Sequence, residues 1–197
     1  MLTIPKYKHQ GYVIPLFQVG GAAFTNMPAN DGVEIISNSA SDVNKITIFG
    51  STYGTGALAF ETVTMLGATQ KATIKIDWDN ILGVFLGDIY GKNSTVAVGT
   101  ITVREASGNA TIITLAAGVR SAGSQILLLP GRDVLIHNKT GNTWKNANNS
   151  LIYPTTNNAF KLEAGDVKDE AIREYLYLLG DTSGSTVQIE VTEDVIA

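Results

Sequence analysis

The sequence predicts an all-β protein: an antiparallel β-sandwich, jelly-roll or immunoglobulin-like, with one short helix and an extended N-terminal arm. Three observations predict it. Apolar and polar residues alternate with period two over short runs. Gly, Asn and Ser punctuate the chain about every 8–12 residues, the spacing of sandwich and barrel turns. β-Branched residues dominate the runs, because a stiff side chain suits a pleated, half-buried surface. No strand–helix–strand alternation of a parallel sheet is found.

Residues 1–32 read as the arm. They carry Pro5, Pro15, Gly20-Gly21 and Pro28, which forbid a helix, yet hold Tyr12, Val13, Ile14, Leu16, Phe17 and Phe24. An apolar segment of this kind lies in a groove, either along its own domain or on a neighbouring subunit. Residues 33–197 read as the sandwich, divisible into β-rich halves at 33–118 and 119–197.

Within the first half the strand-like runs are 33–36, 44–50 and 58–66, joined by hairpin loops at 50–56 and 67–70. Residues 72–77 alternate, placing Ile74 and Ile76 on one face and Thr73 and Lys75 on the other. In 100–104 Ile101 and Val103 point inward, and Gly108-Asn109 turns the chain into a strand over 110–115. The second half opens with a buried run at 125–129, then Pro130-Gly131, a strand at 133–138 and a turn that delivers Trp144. Residues 145–158, Asn-rich with Pro154, read as a surface loop.

Residues 165–175 predict the helix. Asp166 is placed to accept from the amide of Asp169, acidic residues fill the first turn, and Val167, Ala171, Ile172 and Tyr175 form one apolar stripe. The alternative is a loop running into a strand over 175–179. The last strand, 186–192, turns Val187, Ile189 and Val191 inward and Gln188, Glu190 and Thr192 outward, as an edge strand or one side of a solvated sheet.

Composition narrows the function. The 197 residues carry 14 Lys and Arg against 18 Asp and Glu, a net charge of -4, and only 16% are charged, where about 25% is usual. The polar surface is therefore rich in hydroxyls and amides. With no cysteine there is no thiol nucleophile, zinc finger or iron–sulfur cluster. The two histidines, His9 and His137, lie far apart, and His137 reads as an ordinary strand residue. Nucleic acid is not an expected partner, because phosphate neutralisation needs clustered Lys or Arg. Neither is a membrane: the first residues lack the apolar core of a signal segment, and no run reaches the roughly 18 apolar residues of a spanning helix. Synthesis in a reducing cytoplasm is the expectation.

The candidate chemistry is sparse. Asp77-Trp78-Asp79-Asn80 offers oxygens but lacks the spacing of a calcium loop, and reads as a turn with Trp78 packed on the sheet. Gly50, Gly54 and Gly56 precede a strand and lack the lysine of a phosphate-binding loop. The Asn-x-Ser/Thr triplets at Asn93, Asn109, Asn138 and Asn148 read as turn chemistry. Trp144, among Asn142, Asn146, Asn148 and Asn149, is a candidate glycan contact by ring stacking, against a plain packing role. No catalytic, metal or cofactor residue is assigned, and the protein is expected to be no enzyme.

The runs 43–50, 60–67, 81–84 and 99–104 follow a rhythm: a strand ending in Gly, a Glu-Thr-Val-Thr-Met-Leu-Gly strand, a short apolar run and a Gly-Thr-Ile-Thr-Val strand. In this they resemble β-sandwich structural proteins of tailed bacteriophages, and 133–142 and 176–184 look like the same kind of module. The resemblance implies a virion component outside the capsid, a decoration or cement protein that binds the major capsid protein and itself as a homo-oligomer; tail, baseplate or fibre roles and a glycan-binding module are the alternatives. It carries no functional residue with it. On chemistry alone, Tyr12, Val13, Ile14, Leu16, Phe17 and Phe24 of the arm and Val187, Ile189 and Val191 of the last strand are the expected partner contacts, by strand addition and apolar burial.

Overall fold

A computed structural model describes residues 7–19, 30–93, 95–123, 125–147, 159–180 and 185–196. Its strands are β1 (Tyr7–Val19), β2 (Val33–Ser37), β3 (Lys45–Thr52), β4 (Leu58–Thr64), β5 (Lys71–Ala72), β6 (Trp78–Leu86), β7 (Ile101–Glu105), β8 (Thr111–Leu115), β9 (Ser121–Gly123), β10 (Gln125–Leu128), β11 (Arg132–Thr140), β12 (Thr143–Ala147), β13 (Phe160–Leu162), β14 (Val167–Ile172), β15 (Tyr175–Gly180) and β16 (Ser185–Ile196). The architecture is all-β and antiparallel, sheets packed face to face, as the alternation and turn spacing predict.

The strands make four sheets of four: β5-β2-β7-β8, β4-β3-β6-β9, β10-β15-β12-β13 and β1-β16-β11-β14. The first two close over Val33, Ile35, Ile46, Ile48, Trp78, Val84, Ile101 and Val103. The last two close over Leu127, Val134, Ile136, Leu176, Leu178, Val187, Ile189 and Val191. A third cluster, Phe49, Phe85, Ile89, Ile126 and Tyr177, lies between the two sandwiches. It joins the outer face of the β3/β6 sheet to the outer face of the β10/β15 sheet, and the amide of Leu128 donates to the Ile89 carbonyl across it at 2.8 Å.

This stacking explains two kinds of strand. β2, β7 and residues 134–138 of β11 alternate in burial because one face of their sheets meets solvent. In β3 and β15 both faces are covered: Ile46, Ile48, Leu176 and Leu178 point into the sandwich cores, Phe49 and Tyr177 into the seam. Such strands read as near-continuous apolar runs.

Three expectations are revised. Residues 167–172 form strand β14, paired with β11 from Arg132↔Ile172 to His137↔Val167, and no helix occurs among the described residues. A three-turn helix is marginal alone, whereas the strand gains a full ladder and buries Ile172. Asp166 accepts from the amide of Glu163 at 2.8 Å, capping a turn and not a helix. The strand offered as the alternative, 175–179, is β15. Second, β16 is not an edge strand: β1 and β11 flank it, so its exposed residues mark one side of a solvated sheet. Third, residues 7–19 of the arm form a strand of their own chain's sheet, β1 pairing with β16 from Tyr7↔Ile196 to Val19↔Ser185.

Candidate functional site

The open edge of the first sandwich carries a shallow cleft of about 310 Å³, lined by Glu61, Thr62, Val63 and Thr64 of β4, Lys71 and Ala72 of β5, and Leu66 and Ile74 outside the strands. Its two walls are edge strands of different sheets, β4 of one and β5 of the other. Between them the chain reverses through Gly67, whose φ of 63° and approach to Ala40 exclude any side chain: a Cβ there would lie 2.6 Å from the Ala40 carbonyl oxygen.

Residues 73–77 belong to no sheet. Side chains hold them in place. The Glu61 carboxylate accepts the amides of Ile74 at 2.7 Å and Lys75 at 2.9 Å, doing the work of a neighbouring strand. The Thr73 hydroxyl accepts from the Val33 amide at 3.1 Å and donates to the Lys75 carbonyl at 2.8 Å. Lys75 pairs with Asp77 at 2.7 Å and sits 5.5 Å from the centre of the buried Trp78 ring.

Because Thr73 is turned into the protein, the alternation predicted for 72–77 runs with its apolar face outward. Ile74 is 91% exposed and Ile76 71%, and Leu66 beside the cleft is 52% exposed. Two isoleucines in water on a segment fixed by at least five polar contacts are a presented surface. The alternation was visible in the sequence; its direction was set by the Glu61 and Thr73 hydrogen bonds, whose partners lie 13 to 40 residues away.

The sequence-predicted contacts fare differently. Tyr12, Val13 and Ile14 are the register partners of Val191, Glu190 and Ile189, Phe17 that of Val187, and Leu16 lies in the register shift between Ile14 and Phe17. Val187, Ile189 and Val191 are buried in the second sandwich core, where their side chains pack within this chain. Phe24 lies outside the described residues, as do Asn148 and Asn149.

Trp144 sits half-buried on β12, between Leu179 and Lys161 of the flanking strands, with the Lys161 ammonium 6.0 Å from its ring centre. That ammonium occupies a stacking approach a sugar would need. Next to it Phe160, 58% exposed, lies within 5.4 Å of the Lys145 and 5.8 Å of the Lys168 ammonium. His137 Nε2 is 3.1 Å from Glu190 across the β11–β16 ladder, a cross-strand pair. Asp77 is taken by Lys75, and Asp79 accepts from Asn80 at 2.9 Å. Among the described residues no three of His, Asp and Glu gather where they could hold a metal ion.

Two carboxylates are electrostatically tuned without forming a reactive site. Burial works against the charge of Asp42, but donation from the Ser37 hydroxyl at 2.6 Å and the amides of Val98 and Gly99 at 2.8 and 2.9 Å outweighs it and lowers its pKa. Asp31 is likewise lowered: burial is overcome by the hydroxyl and amide of Ser107 and the amide of Gly32. Both spend their acceptor capacity on loops of the first sandwich. Burial, with Tyr175 and Glu174 nearby, pushes the Tyr177 phenol above its ordinary range, so it stays neutral in the seam.

No family model matches the chain, and no curated protein matches it. Among solved structures it is similar to a protein of unknown function assigned to the DUF861 family from Pseudomonas syringae pv. tomato, at 10% identity over 93% of this chain and 82% of that one, with a TM-score of 0.24. It is also similar to the oxalate decarboxylase of Bacillus subtilis at pH 4.6, at 8% identity over 96% and 74% of the two chains with a TM-score of 0.22. A deletion mutant of the same decarboxylase matches at 8% identity over 93% and 67%, TM-score 0.22. Likenesses this distant carry no argument about what this chain does.

Proposed function

We propose that the protein is a non-enzymatic structural component of a bacteriophage particle, a decoration or cement protein that binds the outside of the capsid and bridges major capsid protein subunits. The observation that carries this reading is the pair Ile74 and Ile76, held outward on a pinned segment beside the cleft. Exposed apolar side chains on a rigid support lose little conformational entropy when covered, which favours a docking role. A surface with few charges agrees with this, since long-lived shell contacts bury area without desolvating ions. The resemblance of the strand rhythm to phage sandwich proteins favours the major capsid protein as the partner.

The reading moves the capsid contact from the arm and last strand to the edge of the first sandwich. Its test is co-sedimentation of the purified protein with undecorated capsids, read together with the capsid melting temperature. The parent chain should co-sediment and raise that temperature, and Ile74→Asp with Ile76→Asp should abolish both effects while the free protein stays folded. A parent chain that leaves capsids unbound would overturn the proposal.

A further inference from the structure

We propose that β1 is an exchangeable strand: it leaves β16 of its own chain and pairs with β16 of a second copy in the same register, closing a reciprocal dimer. The β1–β16 ladder joins the first of the described strands to the last. Everything between them, including the whole of the other sandwich, folds from contacts nearer in sequence. β1 forms one border of its sheet among the described strands, and β16, β11 and β14 share ladders that do not depend on which copy supplies it.

Three further features favour exchange. The connection from Val19 to Asn30 opens with Gly20-Gly21, the residue type with the widest backbone freedom. Extended, residues 20–29 reach about 35 Å, several times the roughly 10 Å between packed sheets, so a neighbour's sheet lies within range. The ladder is also interrupted between Ile14 and Phe17, where Pro15 offers no amide, so it opens as two shorter ladders and not one. Timing acts in the same direction: β1 is synthesised long before its partner strand. The pairing of greatest sequence separation closes late, when another copy's β1 presents the same complement.

Because the chain has no cysteine, disulfide trapping tests this without background. Val13 and Glu190 are register partners, and antiparallel partners lie about 4.5–5.5 Å apart at Cα, inside the bonding range of a disulfide. One copy carries Val13→Cys, the other Glu190→Cys, and the two are co-expressed and oxidised. Exchange predicts a covalent heterodimer of twice the 20.9 kDa chain mass, little product when Thr186→Cys replaces Glu190→Cys, and a doubled mass for the unmodified chain in light scattering. Three results would each overturn it: no linked heterodimer, equal linkage in and out of register, or an unmodified chain that stays at monomer mass. A dimer built by β1 edges meeting each other doubles the mass but links no 13 to 190, and so also counts against exchange.

Discussion

Single polar side chains, not the apolar core, decide where this chain presents its surface. Glu61 substitutes for a missing strand, Thr73 turns the alternation of 72–77 over, and Asp42 ties the 38–44 loop to the 96–100 loop. Asp42 also has a pH signature. Its pKa lies below the ordinary 3.8 in the folded chain, so its contribution is present in full above the unfolded value and disappears as the pH falls through the folded one. Stability should therefore begin to fall below about pH 5. Asp42→Asn, whose amide nitrogen cannot accept, should cost about 2–3 kcal/mol at neutral pH. Denaturant midpoints across pH would show the two curves converging in acid; parallel curves would remove Asp42 as the cause. Little of this was legible in the sequence. Asn138 marks the same limit: it stood out only as part of a glycosylation-like triplet, yet it is buried, with its amide donating to the carbonyls of Gly141, Leu162 and Glu163 and its oxygen accepting from Thr143. Nothing local in the sequence distinguishes such an asparagine from one in an exposed turn.

At the scale of the element, strands with a solvated face were read well because their period-two signal is local. Val33–Ser37, Ile101–Glu105 and the 50–56 hairpin lie where alternation and glycine spacing put them. β14 was misread because charged residues at a sheet border imitate a helix N-terminus. Asp166, Asp169 and Glu170 look like first-turn residues near a dipole, but on β14 Lys168, Asp169 and Glu170 line the outer strand of a sheet, where charge discourages another chain from pairing. Replacing Lys168 and Asp169 together by Val should leave the circular dichroism spectrum unchanged, since both are exposed. It should also make the particle mass in light scattering rise with concentration, while the parent's mass stays fixed. A variant that behaves as the parent does would show that this border is protected by something other than its charges.

At the scale of the whole molecule, which strands share a sandwich was not legible in the sequence. The passage between sandwiches falls between β9 and β10, a few residues beyond the expected 118, and β1 belongs to the second sandwich although it precedes the first. Pairing partners about 180 residues apart leave no periodic trace. The apolar seam did leave one, in runs such as Gln125–Leu128 and Tyr175–Gly180 that are too continuous for a one-sided sheet. That seam has a thermodynamic consequence. Phe49 and Tyr177 are fully buried there and Phe85 and Ile126 nearly so, and truncating a buried Phe costs about 3–5 kcal/mol, a sizeable part of a domain's usual 5–15 kcal/mol. With the seam intact, neither sandwich can open without exposing it, so the parent should melt in one calorimetric transition whose van't Hoff and calorimetric enthalpies agree. Phe49→Ala with Ile126→Ala removes seam contacts while leaving the Ile46, Ile48, Leu176 and Leu178 cores untouched. Coupling through the seam then predicts two resolved transitions, and a single transition merely shifted downward would mean that contacts other than the seam bind the two sandwiches into one cooperative unit.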